Sequence, residues 1–66
     1  MPAAMHTKAA ADHSSCAAAH QAAAQQHTAG DQHAALTSST KAKGSCDTAV
    51  KSSADACNKS AAQAKK

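Results

Sequence analysis

Four histidines recur at intervals of seven residues in the first half of an alanine-rich chain. They are His6, His13, His20 and His27, here called the histidine column. Seven residues make two turns of an α-helix, so these four imidazoles are predicted to lie along one helix face. Cys16 lies three residues after His13 and four before His20, within reach of the column. Imidazole and thiolate groups bind late transition metals, so the pattern indicates metal-binding chemistry.

The spacing decides which of these side chains can share one ion. Successive histidines of the column are about 10.5 Å apart along a helix axis, too far to chelate one metal. Side chains three or four residues apart on a helix can bind the same ion, and Cys16 lies three residues from His13 and four from His20. We expect Cys46 to complete this site from a second helix. The mixed nitrogen and sulfur set would accept Cu, Ni or Zn ions. The remaining histidines of the column would bind metal singly or pair with histidines of another chain.

The same two cysteines have another interpretation, which the sequence leaves open. A disulfide between Cys16 and Cys46 would close a loop of about thirty residues and stabilise the fold by roughly 3–4 kcal/mol. We rank this bridge first and two thiolates of one metal site second. Cys57 is then the odd thiol, a candidate for an intermolecular bridge or a free thiol on a small-residue face.

Composition restricts the class of protein. A chain of 66 residues, 42% apolar but mostly alanine and without aromatic residues, has little material for a core. Such a chain needs a disulfide, a metal or a partner chain, so self-association is expected. The net charge of +3 comes without any arginine, which argues against nucleic-acid binding. Four aspartates without a pocket give no catalytic arrangement, so we expect a non-enzymatic protein.

Compartment depends on the redox state of the cysteines. No signal peptide is visible in the chain, and no apolar run is long enough for membrane insertion. A bridge between Cys16 and Cys46 would indicate the periplasm or the extracellular space. Without it the sequence does not assign a compartment.

Alanine is the best helix former, so the fold is predicted to be all-α. We expect an antiparallel helical hairpin with helices over about 3–29 and 32–64 and a turn near Gly30 and Asp31. Gly30 is predicted to end the first helix and Asp31 to cap the second. Gly44 is a possible break, which would give three helices instead of two. Lys65 and Lys66 are expected in the last turn, where positive charge suits the helix dipole.

Small residues are predicted to line the contact between the two helices. On the second helix they alternate by four and three residues, as in a coiled coil: Ala35, Ser39, Ala42, Cys46, Ala49, Ser53, Ala56 and Ser60. On the first helix a stripe two residues wide runs beside the histidine column and consists of Ala10, Ala17 and Ala24 with Ala9, Cys16 and Ala23. Facing residues then have numbers that sum to about 61 or 62, which places Cys16 opposite Cys46. Such hairpins are expected to associate into a bundle or a larger assembly.

The repeat His-x6-His-x6-His, followed by Thr-Ala-Gly-Asp-Gln-His-Ala-Ala, resembles the small histidine-rich helical metal-binding proteins of bacteria. The resemblance covers residues 6 to about 35. Beyond that, serine, threonine or cysteine stands where the family pattern has histidine. The resemblance implies a helical bundle that takes up Cu(II), Ni(II) or Zn(II), with the histidine column and His33 as its ligands.

Two functions therefore remain open at the level of sequence. The first is non-enzymatic binding of transition metal ions through His and Cys side chains on a helical hairpin. The alternative is a self-assembling structural protein, in which stacked or filamentous hairpins are bridged by Cys57 and the histidines tune assembly with pH.

Overall fold

The computed structural model of the protein describes residues 2–64, which form two helices packed against each other. Helix α1 is Pro2–Ala29 and helix α2 is Gln32–Ala64. The pair makes a thin rod with extents of 54 × 13 × 12 Å. The prediction of an all-helical hairpin is confirmed. The expected placement of Lys65 and Lys66 in the last turn lies outside the described residues.

The turn reverses the chain within two residues. Gly30 has a φ of +86°, a left-handed conformation that glycine adopts without steric cost. The backbone N–H of Gly30 donates to the carbonyl of His27 (3.1 Å), and that of Asp31 donates to Gln26 (2.9 Å). These two bonds form a Schellman motif that satisfies the last carbonyls of α1. The Asp31 carboxylate accepts from the backbone N–H of Ala34 (3.0 Å) and caps α2.

Helix α2 runs through Gly44 without a break. A methyl group added at this glycine would meet no atom within 4 Å, so no close contact requires glycine here. The hairpin therefore has two helices, and the three-helix alternative does not occur. One long α2 keeps Cys46 in a fixed position relative to α1.

Alanine forms nearly all of the buried surface. On α2 the buried alanines recur every seven residues and are 0% exposed; they are Ala35, Ala42, Ala49 and Ala56. On α1 the buried alanines are Ala9, Ala19 and Ala23. Side chains of this size let the two backbones approach closely, so dispersion contacts replace a bulky core. Large aliphatic side chains lie outside, with Leu36 and Val50 more than 60% exposed.

The buried face differs from the predicted one at its serines. Ser39 and Ser53 are exposed, whereas Ser52 is buried. On α1, one half of the predicted stripe is exposed, namely Ala10, Ala17 and Ala24, whereas in the other half Ala9 and Ala23 are buried and Cys16 is half-buried. On each helix, the face that is buried against the other helix is therefore rotated away from the side on which the histidine column of α1 lies. This leaves the histidine column at the edge of the interface.

A cluster of polar side chains lies at the edge of the interface, on the other side from the histidine column. Lys8 donates to the carboxylate of Asp12 (2.7 Å) and to the hydroxyl of Ser52 (3.2 Å). Ser52 also donates to Asp12, so the one polar side chain that is buried among residues 2–64 has hydrogen-bond partners. The hydrogen bond from Lys8 is the largest cause, and the one from Ser52 the second, of a pKa of Asp12 that lies below its ordinary value. Within residues 2–64, neither helix has the length and apolarity needed to span a membrane.

Candidate metal centre

Cys16 and Cys46 form a disulfide that joins the two helices near the middle of the rod. Their Cα atoms are 4.8 Å apart, and 30 residues separate them in sequence. The interpretation that we ranked first is thus confirmed. Apart from this bridge, the two helices are connected by one turn, a thin layer of alanine and side-chain hydrogen bonds at the edges of their contact.

His20 lies beside this pair of sulfur atoms. The donor atoms of Cys16, His20 and Cys46 all lie within 4.8 Å of one another. We call these three residues the thiol cluster. Within residues 2–64, no other group of three His, Cys, Asp or Glu side chains is gathered in this way. Both cysteines are half-buried and His20 is exposed, so the cluster opens to solvent on one side.

Helix geometry explains why these three residues meet. Cys16 and His20 are four residues apart on α1, which places their side chains on neighbouring turns of one face. Cys46 comes from α2, between the fully buried Ala42 and Ala49. Because these alanines pack directly against α1, they fix the height at which Cys46 meets it. The cluster is therefore a product of helix register.

The first two histidines of the column have different partners. His6 Nε2 forms a hydrogen bond with the hydroxyl of Ser60 at 2.7 Å, and His13 Nε2 forms one with Ser53 at 2.6 Å. We call these two pairs the histidine–serine ladder. The second histidine comes seven residues after the first on α1, and its serine partner comes seven residues before the first partner on α2. The next step of the same register brings His20 to Cys46.

Three of the predicted metal ligands therefore come together and three do not. Cys16, His20 and Cys46 are gathered in the thiol cluster. His6 and His13 bind serine hydroxyls across the interface, and His27 forms a hydrogen bond with Gln32 at 2.6 Å beside the turn. Within residues 2–64, none of these three histidines belongs to a group of three candidate metal ligands.

The sequence pattern predicts that Ser53 and Ser60 lie in the interface, but it does not predict that they form hydrogen bonds with histidines. The signal that links them to the column is their spacing: Ser39, Cys46, Ser53 and Ser60 recur every seven residues, as the histidines do. Two such columns on antiparallel helices bring successive members to the same relative height once one pair meets, although His27 at the turn bonds Gln32 instead of Ser39. The two hydrogen bonds show that this pairing occurs at the open end of the rod.

The redox state of the thiol cluster determines its chemistry. Thiolates are strong ligands for soft metals, whereas the sulfurs of a disulfide carry no negative charge and bind metal weakly. The bridged form is thus a structural crosslink with an imidazole beside it. Reduction would leave two thiols and one imidazole side by side in the same small volume.

The third cysteine is separate from this cluster. Cys57 is an exposed free thiol near the end of α2. Leu36, Lys43, Val50 and Cys57 recur every seven residues and so lie along one face of α2. All four are exposed. This outer column of α2 holds both large aliphatic side chains that the structure leaves exposed.

No protein-family model matches the sequence, and no curated protein or solved structure is significantly similar to the chain. The resemblance to small histidine-rich helical metal-binding proteins therefore stays a prediction. Any assignment of function rests on the chemistry of the residues described above.

Proposed function

We propose that the protein, with Cys16 and Cys46 reduced, binds one transition metal ion (Cu, Ni or Zn) without catalysing a reaction. Cys16, Cys46 and His20 are the ligands. The observation that carries this proposal is the proximity of their donor atoms, all within 4.8 Å of one another. Ligands from two helices converge in this cluster because the hairpin register aligns Cys46 with the Cys16–His20 segment.

The distances support this ligand set. Bond lengths of about 2.3 Å to sulfur and 2.0–2.1 Å to imidazole nitrogen place tetrahedral donors about 3.5–3.8 Å apart. In the bridged form the imidazole nitrogen lies within 4.8 Å of both sulfurs, so a small side-chain movement would bring it to this separation. When the bridge is reduced, the sulfurs must separate to about 3.8 Å to hold a zinc ion. Rotation about the Cα–Cβ bonds of the two half-buried cysteines provides this movement.

The donor types narrow the choice of metal. Two thiolates with one imidazole form a soft site that suits Cu(I) and Zn(II), and one solvent-facing position can take water. Single imidazoles elsewhere on the column bind metal far more weakly than a three-ligand site. One tight site per hairpin is therefore expected, rather than one at each histidine.

Zinc titration of the reduced protein tests this function. The background variant is Cys57→Ser, which removes the exposed free thiol. We expect one tight zinc ion per chain and loss of tight binding in Cys16→Ser/Cys46→Ser. His20→Ala should weaken binding by about tenfold or more, the loss seen even for outer-shell partners. His13→Ala is the matched control from the same column and should keep the affinity.

Two results would remove the proposal. One is the absence of uptake tighter than about micromolar, a standard free energy of roughly −8 kcal/mol. The other is an equal loss of affinity in His20→Ala and His13→Ala, which would show a diffuse histidine surface instead of a defined centre.

A second candidate function is self-association, and one observation favours it. Leu36 and Val50 are 64% and 66% exposed and share the outer column of α2 with the free thiol of Cys57. Lys43 lies between the two aliphatic side chains in this column. Exposed apolar side chains gain free energy when another chain covers them, and a thiol on the same face can bridge the two chains. Sedimentation velocity over a range of concentrations tests this, with Leu36→Ser/Val50→Ser as the variant. A strictly monomeric wild type, with or without reductant, would exclude it.

A further inference from the structure

We propose that the thiol cluster is a redox-controlled metal site, in which formation of the Cys16–Cys46 bridge expels the metal. This inference rests on the proposed function and adds its regulation. The disulfide and the metal require the same two sulfur atoms, and each sulfur can serve only one of them. The bridge in the structure is therefore the metal-free state of the site.

The reaction needs an oxidant, and a low-molecular-weight disulfide is the class that fits. One thiolate of the zinc-loaded site attacks the reagent, forming a mixed disulfide and releasing one small thiolate. The second cysteine then attacks the mixed disulfide, forming the Cys16–Cys46 bond and releasing the second small thiolate. The protein sulfurs lose two electrons and the reagent sulfurs gain them. Zinc leaves as Zn²⁺, so charge balances.

The hairpin keeps the two cysteines facing each other when the bridge is open. The turn lies on one side of the cluster, and the interhelical hydrogen bond from Ser52 to Asp12 lies on the other. Between them, Ala42 and Ala49 are fully buried against α1. These contacts do not depend on the sulfur–sulfur bond. In the metal-bound form the ion takes the place of the bridge as the crosslink between the two helices, and these contacts hold the register, which makes the exchange between the bridged and metal-bound forms reversible.

The cluster is also accessible to the reagents that the exchange needs. Both cysteines are half-buried rather than enclosed, and His20 is exposed beside them. A small disulfide or dithiol can reach the sulfurs from this open side. Loss of the two thiolates leaves His20 as a single imidazole, which cannot retain the metal at the affinity of the three-ligand site.

The test uses full-length Cys57→Ser protein, reduced and loaded with one equivalent of zinc. Oxidised glutathione is added, free zinc is followed with a chromophoric indicator, and bridge formation is followed by mass spectrometry. We expect about one zinc ion released per chain, in step with the Cys16–Cys46 bridge, and uptake again after a dithiol is added. His13→Ala is the control and should release zinc to the same extent.

The outcomes separate this inference from the function on which it rests. If the reduced protein takes up no zinc, the proposed function fails and the inference fails with it. If zinc is taken up and stays bound after the bridge has formed completely, the inference alone is overturned. Zinc release with only glutathione adducts on Cys16 and Cys46, and no bridge between them, also overturns it.

Discussion

His13 on α1 and Ser53 on α2 are joined by a hydrogen bond of 2.6 Å between imidazole Nε2 and the hydroxyl oxygen. The same contact recurs seven residues away between His6 and Ser60. This repeat shows that the histidine column faces a second column on the other helix. Where that column carries Cys46 instead of serine, the thiol cluster arises.

The first prediction is that the cluster can be moved along the rod by one repeat. In a Cys16→Ser/Cys46→Ser background, Ala9→Cys and Ser53→Cys place thiols in the same relation to His13 that the native thiols have to His20. We expect an interhelical disulfide on oxidation and zinc binding on reduction, about 10.5 Å from the original site. Mass spectrometry and zinc titration measure the two effects.

A matched control for this transfer is Ala10→Cys combined with Ser53→Cys. Ala9 is buried in the interface, whereas Ala10 is exposed. The control should form neither the bridge nor the site. Equal bridging from both positions would show that the helix register does not determine the chemistry.

The second prediction concerns the bridge as a crosslink. Cys16→Ser/Cys46→Ser should lower the free energy of unfolding by roughly 3–4 kcal/mol, the chain-entropy value for a loop of this length. For a core of alanine this is a large fraction of the total stability. Urea unfolding followed by circular dichroism measures it. Cys57→Ser should leave the midpoint unchanged, and a similar loss in that variant would contradict the assignment.

The third prediction contrasts the two glycines. Gly44→Ala should stabilise the protein by about 1 kcal/mol, because the site is helical and alanine has the higher helix propensity. Gly30→Ala should destabilise it by about 1 kcal/mol or more, because its φ is +86°. Thermal unfolding of both variants measures these effects. Opposite signs are required, and a loss at Gly44 would argue against one continuous α2.

The fourth prediction is a pH dependence that comes from Asp12. Its pKa is lowered in the folded state, mainly by the hydrogen bond from Lys8 and then by that from Ser52. A lowered folded pKa adds stability above the unfolded value of about 3.9, and this stability is lost as pH falls through the folded pKa. Urea midpoints of wild type and Asp12→Asn should therefore differ at neutral pH and converge in acid.

The control for this effect is Asp47→Asn, which breaks a more exposed ion pair with Lys43. Exposed pairs contribute little to stability, so its midpoint should stay close to that of wild type. If both variants lose the same stability with the same pH dependence, the polar cluster around Ser52 has no special role.

The helical hairpin and the Cys16–Cys46 pair could be predicted because both follow from local rules. Alanine content determines helix formation, Gly30 and Asp31 provide a stop and a cap, and equal rise on both arms brings the cysteines together. No long-range information was needed for these features.

The side of each helix that is buried could not be predicted in the same way. Ser39 and Ser52 have the same chemistry, and the rotation of α2 that exposes one and buries the other depends on contacts spread along the whole interface. The sequence pattern therefore left the partners of His6 and His13 undetermined. Only the packed pair of helices assigns them to Ser60 and Ser53.

X-ray absorption at the zinc edge of the reduced, zinc-loaded Cys57→Ser protein tests the central claim most directly, because it reads the ligands themselves. The claim predicts two sulfur scatterers at about 2.3 Å and an imidazole nitrogen at 2.0–2.1 Å. His20→Ala should remove the imidazole signal and keep both sulfurs. A shell of nitrogen and oxygen alone, without sulfur, would contradict the account.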